Sequence, residues 1–387
     1  MNVQLDYSAR KSPFYGPEHN AFRETVRRFV KKEIEPYGAA WDEAENFPRE
    51  LYKKAGEIGL LGIGFPEEYG GTSSDRFLDI VAFQELARCG IGGIVSGLVS
   101  HRIGAPPIAN RGTEQMKARV LPNILSGEKI SALAITEPGG GSDVANLCTT
   151  ARQDGDHYVV NGTKTFITSG MRADHYTVAV RTGGAGSAGV SLILVDRDTP
   201  GFSRTPLKKT GWWASDTATL YFENCRVPVE NLIGQEGAGF KIAMLNFNDE
   251  RLMMAAFSIA YARVCFEEAV AYARERHTFG KPLAQHQVIR HKLVDMLQRV
   301  EASQALLELL AWRLENGDSP IVEICLLKNQ ATQTMAHCAS EGVQIFGGAG
   351  YLRGCKVERI YREVKVNAIG GGAEEIMKDL AARQMGL

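Results

Sequence analysis

The spacing of hydrophobic residues along the chain changes twice. In the first part, apolar residues recur every three or four positions, as at Phe22, Val26 and Phe29, which is typical of amphipathic helices. Pro36 is expected to end this first helix, and Pro48 is expected to occupy the first position of another. The first part of the chain is therefore predicted to be a series of helices joined by loops.

The middle of the chain has a different pattern, because apolar and polar residues alternate in short runs with turn residues between them. HYTVAVRT (175–182) and GVSLILVD (189–196) are two of these runs, which are typical of β-strands. The Asn161-Gly162 pair predicts a tight hairpin turn, since both residue types tolerate a positive φ. Several short strands at this spacing favour an antiparallel sandwich or barrel.

The last part of the chain returns to a helical period. Residues 288–312 keep apolar residues at 289, 293, 296, 300, 307 and 311, and residues 250–276 form a similar, less polar run. Long amphipathic helices of this kind favour a bundle. The order of elements predicts an α+β multidomain protein. Its expected domains are an N-terminal α-helical domain (1–129), a middle antiparallel β-barrel or sandwich domain (130–238) and a C-terminal helical bundle domain (239–387).

The composition argues against several classes of protein. The 387 residues include 44 Lys and Arg against 45 Asp and Glu, a balance that does not suit a nucleic-acid-binding face. Seven scattered cysteines without a Cys-x-x-Cys pair argue against a disulfide framework and a zinc cluster, and no His-x-x-x-His pair indicates a metal site. No run approaches the ~20 apolar residues of a membrane span, and the N-terminus has no signal-like pattern. We expect a cytoplasmic protein that binds no nucleic acid, holds no metal and does not insert into a membrane.

One glycine-rich segment matches a nucleotide-binding motif by its letters alone. GAGSAG (184–189) fits Gly-x-Gly-x-x-Gly, but that motif requires a following helix, so that the pyrophosphate meets the helix N-terminus. Here the strand-like run VSLILVD follows. We interpret the segment as a hairpin loop and not as a dinucleotide site.

Other segments combine glycine with small polar residues. In AITEPGGGSD (134–143), a predicted strand ends in Thr136, Glu137 and Pro138, and the three glycines that follow would let the backbone approach a flat polar cofactor or a phosphate. KTFITSG (164–170), RHTFGKPLAQHQ (276–287) and QIFGGAGY (344–351) also place an aromatic residue near small groups. Taken singly, each segment is explained as well or better by a turn or by a junction between helices.

In this order and at these separations, the segments resemble the acyl-CoA dehydrogenase flavoprotein family. The resemblance also includes PEEYGG (66–71), GWWASDTATLYFENCRVP (211–228) and GGGAEEIMKDL (370–380), and it covers nearly the whole chain. It implies a helical domain, a β domain and a C-terminal four-helix bundle, with FAD as cofactor. It further implies α,β-dehydrogenation of an acyl-CoA thioester to the trans-2-enoyl-CoA, a homotetramer, and an electron-transfer flavoprotein as electron acceptor.

The resemblance assigns residues to the cofactor and to the acyl-CoA. The residues that would border the flavin of their own subunit are Leu133, Ile135, Thr136, Gly141, Ser142, Phe166, Ile167 and Thr168. Those that would reach the FAD from a partner subunit are Arg276, Thr278, Phe279, His286, Gln287, Gln344, Gly347 and Gly348. Ala373 and Glu375 are also assigned to the cofactor, although Glu374 and Glu375 suit the first turn of the last helix as well. Ser142, Asn248, Arg251 and Gly372 are assigned to the acyl-CoA.

The catalytic base is where the chain departs from the commonest family pattern. The late glutamate of that pattern falls on Gly371, which has no side chain. A smaller group of the family, including long-chain and isovaleryl-CoA dehydrogenases, carries its base in a segment like Leu-Glu-Arg-Leu. NDERLMMAA (248–256) is similar to that segment, with the acid at Glu250. The resemblance therefore implies that Glu250 takes the α proton while the β hydride passes to flavin N5.

Other interpretations of these residues and of the function stay open. Glu250 would also fit the first turn of a helix capped by Asn248 or Asp249, and we assign Asp249 to such a cap. Gly371 is expected to keep a catalytic part, because its backbone N–H remains to bond the thioester oxygen. The alternative functions are a flavin oxidase or monooxygenase on the same fold and a non-catalytic family member. The length and branching of the acyl chain are not predicted.

Overall fold

The computed structural model describes residues 12–387. Its helices are α1 (Pro17–Phe29), α2 (Gly38–Glu43), α3 (Glu50–Glu57), α4 (Arg76–Ala87), α5 (Gly92–Leu98), α6 (His101–Gly104), α7 (Pro106–Arg111), α8 (Glu114–Leu125), α9 (Gly239–Glu275), α10 (Gln287–Glu315), α11 (Ile321–Phe346), α12 (Lys356–Ile369) and α13 (Glu374–Gln384). Its strands are β1 (Ser131–Ala134), β2 (Thr150–Asp154), β3 (His157–Thr168), β4 (His175–Arg181), β5 (Val190–Asp196), β6 (Phe202–Pro206), β7 (Thr217–Pro228), β8 (Leu232–Ile233), β9 (His277–Thr278) and β10 (Lys281–Pro282). The predicted order of helices, strands and helices is confirmed.

The described residues divide into two compact units. The bundle unit consists of the chain up to Ala40, Ser74–Gly92 and Arg251–Leu387. The sheet unit consists of Trp41–Ser73 and Gly93–Glu250. The division falls inside α9, whose first turns belong to the sheet unit and whose remainder belongs to the bundle unit.

The sheet unit is built on one eight-stranded sheet, which confirms the predicted middle sheet domain. Its strands follow the order β6-β7-β3-β2-β4-β5-β8, and β1 pairs with β4. The pairing is antiparallel except that β1 and one residue of β2 pair with β4 in parallel. The runs predicted at 175–182 and 189–196 form the hairpin of β4 and β5, and GAGSAG lies in its loop as predicted.

Two strands of this sheet have sequences that do not predict them. β2 buries only Ala151, and β6 buries none of its residues. Both strands pair with longer neighbours, β2 with β3 and β6 with β7. Backbone pairing rather than side-chain burial therefore defines them, and the alternation of apolar and polar residues is missing.

The predicted hairpin turn at Asn161-Gly162 is wrong. Both residues lie inside β3, and the turn between β2 and β3 contains Gly155, whose φ is +62°. Asn161 instead exchanges hydrogen bonds of 2.8 and 3.2 Å with Asn224 of β7, where the pairing of β3 with β7 shifts register. A Cβ on Gly162 would lie 2.6 Å from Thr149 Oγ1, so close packing at a bulge, and not a turn, requires glycine there.

The helix predicted to begin at Pro48 begins two residues later, at Glu50. Arg49 occupies the N-cap position, and its guanidinium donates a 3.0 Å hydrogen bond to the carbonyl oxygen of Arg172. The same guanidinium pairs with the carboxylate of Asp174. These contacts fix the start of α3 against the loop that precedes β4.

The core of the sheet unit joins its helices to its sheet. Val120 and Ile124 of α8 belong to a buried cluster that also contains Leu192 and Leu194 of β5. Ile242 of α9 belongs to the same cluster. The first turns of α9 are therefore held by the core of the sheet unit.

The bundle unit is organised around α11, which contacts α10, α12 and α13. Met296 and Val300 of α10 are fully buried, as the predicted helical period requires. The predicted four-helix bundle is confirmed. α1 packs on α4, and a π-helical turn over Val30–Ile34 extends α1 until Pro36. None of the described helices combines the length and apolar content that a bilayer-spanning segment needs.

Candidate active site

The first flavin-bordering segment leaves β1 after Ala134, earlier than the predicted strand end, and forms an exposed turn. The backbone groups of Glu137 and Gly140 exchange hydrogen bonds of 3.0 and 3.2 Å, which closes this turn. A Cβ on Gly139 or Gly140 would meet no atom within 4 Å. Ser142 follows the turn and is exposed. The glycines therefore leave an open stretch of backbone, which a ligand can approach closely.

The second flavin-bordering segment, Phe166–Thr168, forms the end of β3. Phe166 has a φ of +59°, which bulky residues rarely adopt, and its side chain is 69% exposed. The pairing of β3 with β7 is irregular between Lys164 and Ile167, so that Ile167 is buried while Phe166 turns outward. An exposed aromatic ring on a strained backbone is typical of ligand sites.

The structure brings these two segments together. The backbone N–H of Thr165 donates a 2.8 Å hydrogen bond to the carbonyl oxygen of Thr136. Lys164 Nζ donates hydrogen bonds to Ile135 O at 2.9 Å and to Glu137 Oε1 at 2.7 Å. The two segments assigned to the flavin of their own subunit therefore lie side by side in the sheet unit, although Ile135 and Ile167 point into its core.

Glu250 lies in the interior of α9, about three turns after the helix begins at Gly239. The assignment of Asp249 to a helix cap is therefore wrong, and Asn248 does not cap this helix either. Asp249 is exposed, whereas Asn248 and Glu250 are half-buried. The Oε2 atom of Glu250 is fully covered.

The early start of α9 has a physical cause in the residues before Glu250. Phe240, Met244 and Phe247 are partly buried against the core cluster of the sheet unit. Their spacing of three to four residues places them on one helix face. Tertiary packing therefore extends the helix back through a stretch whose Asn and Asp residues suggested a helix end.

Gly371 and Gly372 form the turn between α12 and α13, with φ values of +64° and +107°. Arg251 Nε donates a 3.2 Å hydrogen bond to Gly371 O. Lys328 Nζ donates hydrogen bonds to Gly372 O at 2.7 Å and to Ala368 O at 3.1 Å. Arg251 is 7% exposed and Lys328 is fully buried. Two buried cations thus bind consecutive carbonyl groups of the glycine turn.

Ala373 is the N-cap residue of α13, and Glu374 and Glu375 lie in its first turn, where their charges stabilise the helix dipole. Asn329 Nδ2 donates a 3.0 Å hydrogen bond to Glu374 O, and Gln333 donates one of 3.2 Å to the Glu374 carboxylate. The start of α13 is thereby tied to α11. The cofactor contacts assigned to Ala373 and Glu375 stay predictions.

The first group of residues assigned to a partner subunit's FAD lies in the connection between α9 and α10. Phe279 forms the turn of the β9–β10 hairpin, has a φ of +52° and is 97% exposed. The His286 ring lies 6.2 Å from the Phe279 ring, and its Nε2 is 3.3 Å from Thr278 Oγ1. Arg276 and Gln287 are exposed on either side. The connection therefore presents an aromatic ring and polar groups outward.

The second group lies at the end of α11. Gln344 is in its last turn, Gly347 caps it with a φ of +61°, and Gly348 follows. The rings of Tyr272 and Phe346 stack with centroids 4.2 Å apart, which ties the end of α11 to the end of α9. The two groups therefore occupy adjacent parts of the bundle unit.

The sequence does not reveal three residues that support these sites. The sequence gives no signal of the contacts of Glu137, Lys164 and Lys328, because their partners lie 11 to 44 residues away along the chain. The one signal in the sequence that could indicate such residues is a charged residue within an otherwise apolar stretch. Lys164 precedes Thr165 and the buried Ile167 in KTFITSG, and Lys328 lies in an apolar part of α11.

Comparisons with known proteins identify the family. Family models for the N-terminal, middle and C-terminal domains of acyl-CoA dehydrogenases match residues 16–128, 132–225 and 237–386. An acyl-CoA dehydrogenase of Bacillus subtilis is 39% identical over 95% of this chain and 98% of its own length. The crystal structure of an acyl-CoA dehydrogenase from Geobacillus kaustophilus is 37% identical, with a TM-score of 0.93 over 97% of this chain and all of that one.

A solved structure with a reduced flavin is also similar. It is a glutaryl-CoA dehydrogenase from Mycobacterium smegmatis in complex with FADH2, with 27% identity, a TM-score of 0.90 and coverage of 96% of this chain and 95% of that one. These matches agree with the order of helical, sheet and helical domains. The chain belongs to the acyl-CoA dehydrogenase family of FAD-dependent oxidoreductases.

Proposed function

We propose that Glu250 takes the α proton of an acyl-CoA thioester while the β hydrogen leaves as a hydride to flavin N5. FAD-dependent acyl-CoA dehydrogenation is the general activity of the family. The observation that carries the assignment is the position of Glu250 in the interior of α9, which leaves it no helix end to cap. The glycine at position 371 supports it, because no carboxylate stands at the commoner position of the base.

The flavin-bordering surface fits FAD. The exposed Phe166 ring offers a flat apolar face, and the open glycine turn offers backbone groups to a polar ring edge. The hydroxyl groups of Ser142 and Thr168 can add hydrogen bonds. FAD, when bound there, supplies the acceptor for the hydride.

Glu250 has the surroundings that a base for a weakly acidic proton needs. It is half-buried, and an acyl chain beside it would withdraw it further from water, which strengthens a carboxylate as a base. The turns of α9 before it are anchored in the core of the sheet unit through Ile242. The carboxylate can therefore receive the proton without a rearrangement of its helix.

Gly371 supplies a hydrogen-bond donor in this proposal. Its backbone N–H would bind the thioester oxygen and stabilise the negative charge that develops there when the α proton leaves. The carbonyl groups of Gly371 and Gly372, which follow this N–H along the chain, are held by Arg251 and Lys328, so the backbone directly after the donor is restrained. The donor needs no side chain, which is consistent with glycine at this position.

We also infer that the protein is a homotetramer that passes its electrons to an electron-transfer flavoprotein. Phe279 supports the shared cofactor, because an almost fully exposed ring on left-handed backbone is explained by a partner outside its own chain. The cytoplasmic location stays a prediction.

The test is an anaerobic titration of the purified protein with acyl-CoAs from short branched to long straight chains, followed by the oxidised-flavin absorbance. Bleaching by one class is expected. Glu250→Gln should bind the same thioester and bleach about 10² to 10⁴ times more slowly, the range that general bases contribute. Asp249→Asn is the matched control: Asp249 is an exposed neighbour of Glu250, and the flavin of this variant should bleach at the wild-type rate.

Two results would contradict the proposal. Bleaching by Glu250→Gln at the wild-type rate would remove Glu250 as the base. A yellow protein that no acyl-CoA bleaches would count against a dehydrogenase, and oxygen consumption with another substrate would then favour the oxidase or monooxygenase alternative.

A further inference from the structure

Lys164 and Glu137 form a buried ion pair at the junction of the two flavin-bordering segments. Lys164 is fully buried and Glu137 is 8% exposed. The Lys164 ammonium lies 2.7 Å from Glu137 Oε1 and donates a second hydrogen bond to Ile135 O at 2.9 Å. One cation therefore binds the backbone and the side chain of the first segment from a position two residues before Phe166.

Glu137 extends this link to a third stretch of chain. Its two carboxylate oxygens accept hydrogen bonds from the backbone N–H groups of Cys148, at 2.6 Å, and Thr149, at 2.8 Å. Thr149 lies directly before β2, which pairs with β3. The carboxylate thus joins the exposed glycine turn, the entry to β2 and the end of β3 through one side chain.

Within the pair, each side chain favours the ionised form of the other, whereas burial opposes the ionisation of both. Burial lowers the pKa of Lys164 to about 8, although the neighbouring Glu137 carboxylate opposes this change. Burial also opposes ionisation of Glu137, but the charge and hydrogen bond of Lys164 outweigh it and lower the pKa of that carboxyl group. Two further groups act on Lys164: Cys148 raises its pKa, and Arg181, which bonds the carbonyl oxygen of Leu147 at 2.9 Å, lowers it.

A buried ion pair is a poor means of stabilising a fold. The desolvation of both charges offsets most of their attraction, and apolar residues of similar volume often stabilise as well or better. Here the pair restrains geometry instead. Four hydrogen bonds converge on two side chains, and they fix the distance between the open backbone at Gly139 and Gly140 and the outward-turned ring of Phe166.

We propose that Lys164 and Glu137 are positioning residues for the flavin: they hold the glycine turn and the Phe166–Thr168 segment at the separation that the ring system of FAD requires. The inference rests on the assignment of this surface to FAD. Neither side chain needs to touch the cofactor, because both act through the backbone of the segments that border it.

The experiment compares Lys164→Met, Glu137→Gln and the double variant with wild type. Lys164→Met keeps the length of the side chain, and it leaves the Glu137 carboxylate with its two backbone donors, so this variant should fold. For each protein, we would measure the FAD dissociation constant and the shape of the bound-flavin absorption and circular dichroism bands at saturating FAD. We would also measure the unfolding of the protein without FAD. The matched control is Asn231→Ala, which removes a buried side chain that donates to Leu194 O at 2.9 Å on β5, away from both segments.

Each single variant should bind FAD about tenfold more weakly or worse and should change the bound-flavin spectrum. The double variant should lose no more affinity for FAD than the more strongly affected of the two single variants, because the two side chains act as one unit. Asn231→Ala should lose stability while keeping the wild-type FAD affinity and spectrum.

Two outcomes would overturn the inference. Wild-type affinity and spectrum in Lys164→Met would show that the pair does not position the flavin. The pair would have only a structural role if the variants lost FAD affinity in proportion to their loss of stability and Asn231→Ala showed the same proportional loss. Failure of wild type itself to bind FAD would instead contradict the cofactor assignment, so the two failures are distinguishable.

Discussion

Arg251 Nε and the carbonyl oxygen of Gly371 are joined by a 3.2 Å hydrogen bond, although 120 residues separate them in the chain. Arg251 follows the proposed base directly along α9. The resemblance places Gly371 where the commonest family pattern has a glutamate. Arg251 thus binds the glycine turn that contains the proposed oxyanion donor, the Gly371 N–H.

Arg251→Gln should lower kcat more than it raises KM. Loss of the charge-assisted hydrogen bond to Gly371 O loosens the glycine turn, and a misplaced Gly371 N–H no longer stabilises the developing enolate. We expect kcat to fall by about tenfold to a hundredfold, the effect of weakening one oxyanion contact. Steady-state kinetics with the best acyl-CoA of the titration panel would measure both constants.

Arg263→Gln is the control for this prediction, because Arg263 is also 7% exposed on α9 but pairs with Glu301 at 3.2 Å. It should keep the wild-type kcat. A variant of Arg251 in which KM alone rises would contradict positioning of the turn and favour the predicted direct contact of Arg251 with the acyl-CoA.

Gly372→Ala should destabilise the protein by about 1–3 kcal/mol, because a new methyl group would overpack the site. Its Cβ would lie 2.4 Å from Met377 Cε, and the φ of +107° is unfavourable for any residue with a side chain. Denaturant unfolding would measure the loss. Gly184→Ala is the control, since a Cβ there meets no atom within 4 Å, and equal stability of the two variants would contradict the packing argument.

The fold could be predicted from the sequence because long periodic helices and alternating strands carry their own signal. The errors arise where a local pattern competes with packing elsewhere. Asn161-Gly162 has the letters of a hairpin, but the Asn161 side chain bonds Asn224 across β3 and β7, and Thr149 crowds Gly162. Asp249 has the letters of a helix cap, but the apolar face before it keeps the helix intact.

The candidate site divides in the same way. Glu250 and Phe166 are candidates already in the sequence, because their segments resemble family motifs as contiguous strings. Lys164 and Lys328 could not, because their roles depend on carbonyl groups 29 and 44 residues away. No periodicity relates such positions, and only the folded backbone places the donors at the acceptors.

Replacement of His101 should reduce the loss of stability that the protein undergoes on mild acidification. Burial lowers the pKa of His101 from 6.5 to about 3, and its Nε2 lies 2.9 Å from the carbonyl oxygen of Leu61. The unfolded chain therefore takes up a proton below pH 6.5 that the folded protein takes up only near pH 3. This contribution to stability is complete above pH 6.5 and decreases as the pH falls towards 3.

Melting temperatures of wild type and His101→Gln, measured from neutral pH to about pH 4, would test this prediction. The decrease should be smaller in the variant, whose side chain can still donate to Leu61 and does not titrate. His291→Gln serves as the control, because His291 is exposed. Parallel curves for wild type and His101→Gln would assign the acid sensitivity to other groups.

Arg276→Ala should weaken FAD binding about tenfold without loss of protomer stability, because the cofactor would lose a hydrogen-bonded charge while the protein loses little. The Arg276 side chain is exposed, next to the hairpin that presents Phe279. Equilibrium dialysis would give the FAD dissociation constant, and light scattering would give the oligomeric state of the same samples. Lys281 is an exposed cation in the same hairpin, and Lys281→Ala should bind FAD as wild type does.

Unchanged affinity in Arg276→Ala would contradict a cofactor shared between subunits at this hairpin. A weakened affinity in a protein that is monomeric at every concentration would contradict it equally, because no partner would then supply the arginine.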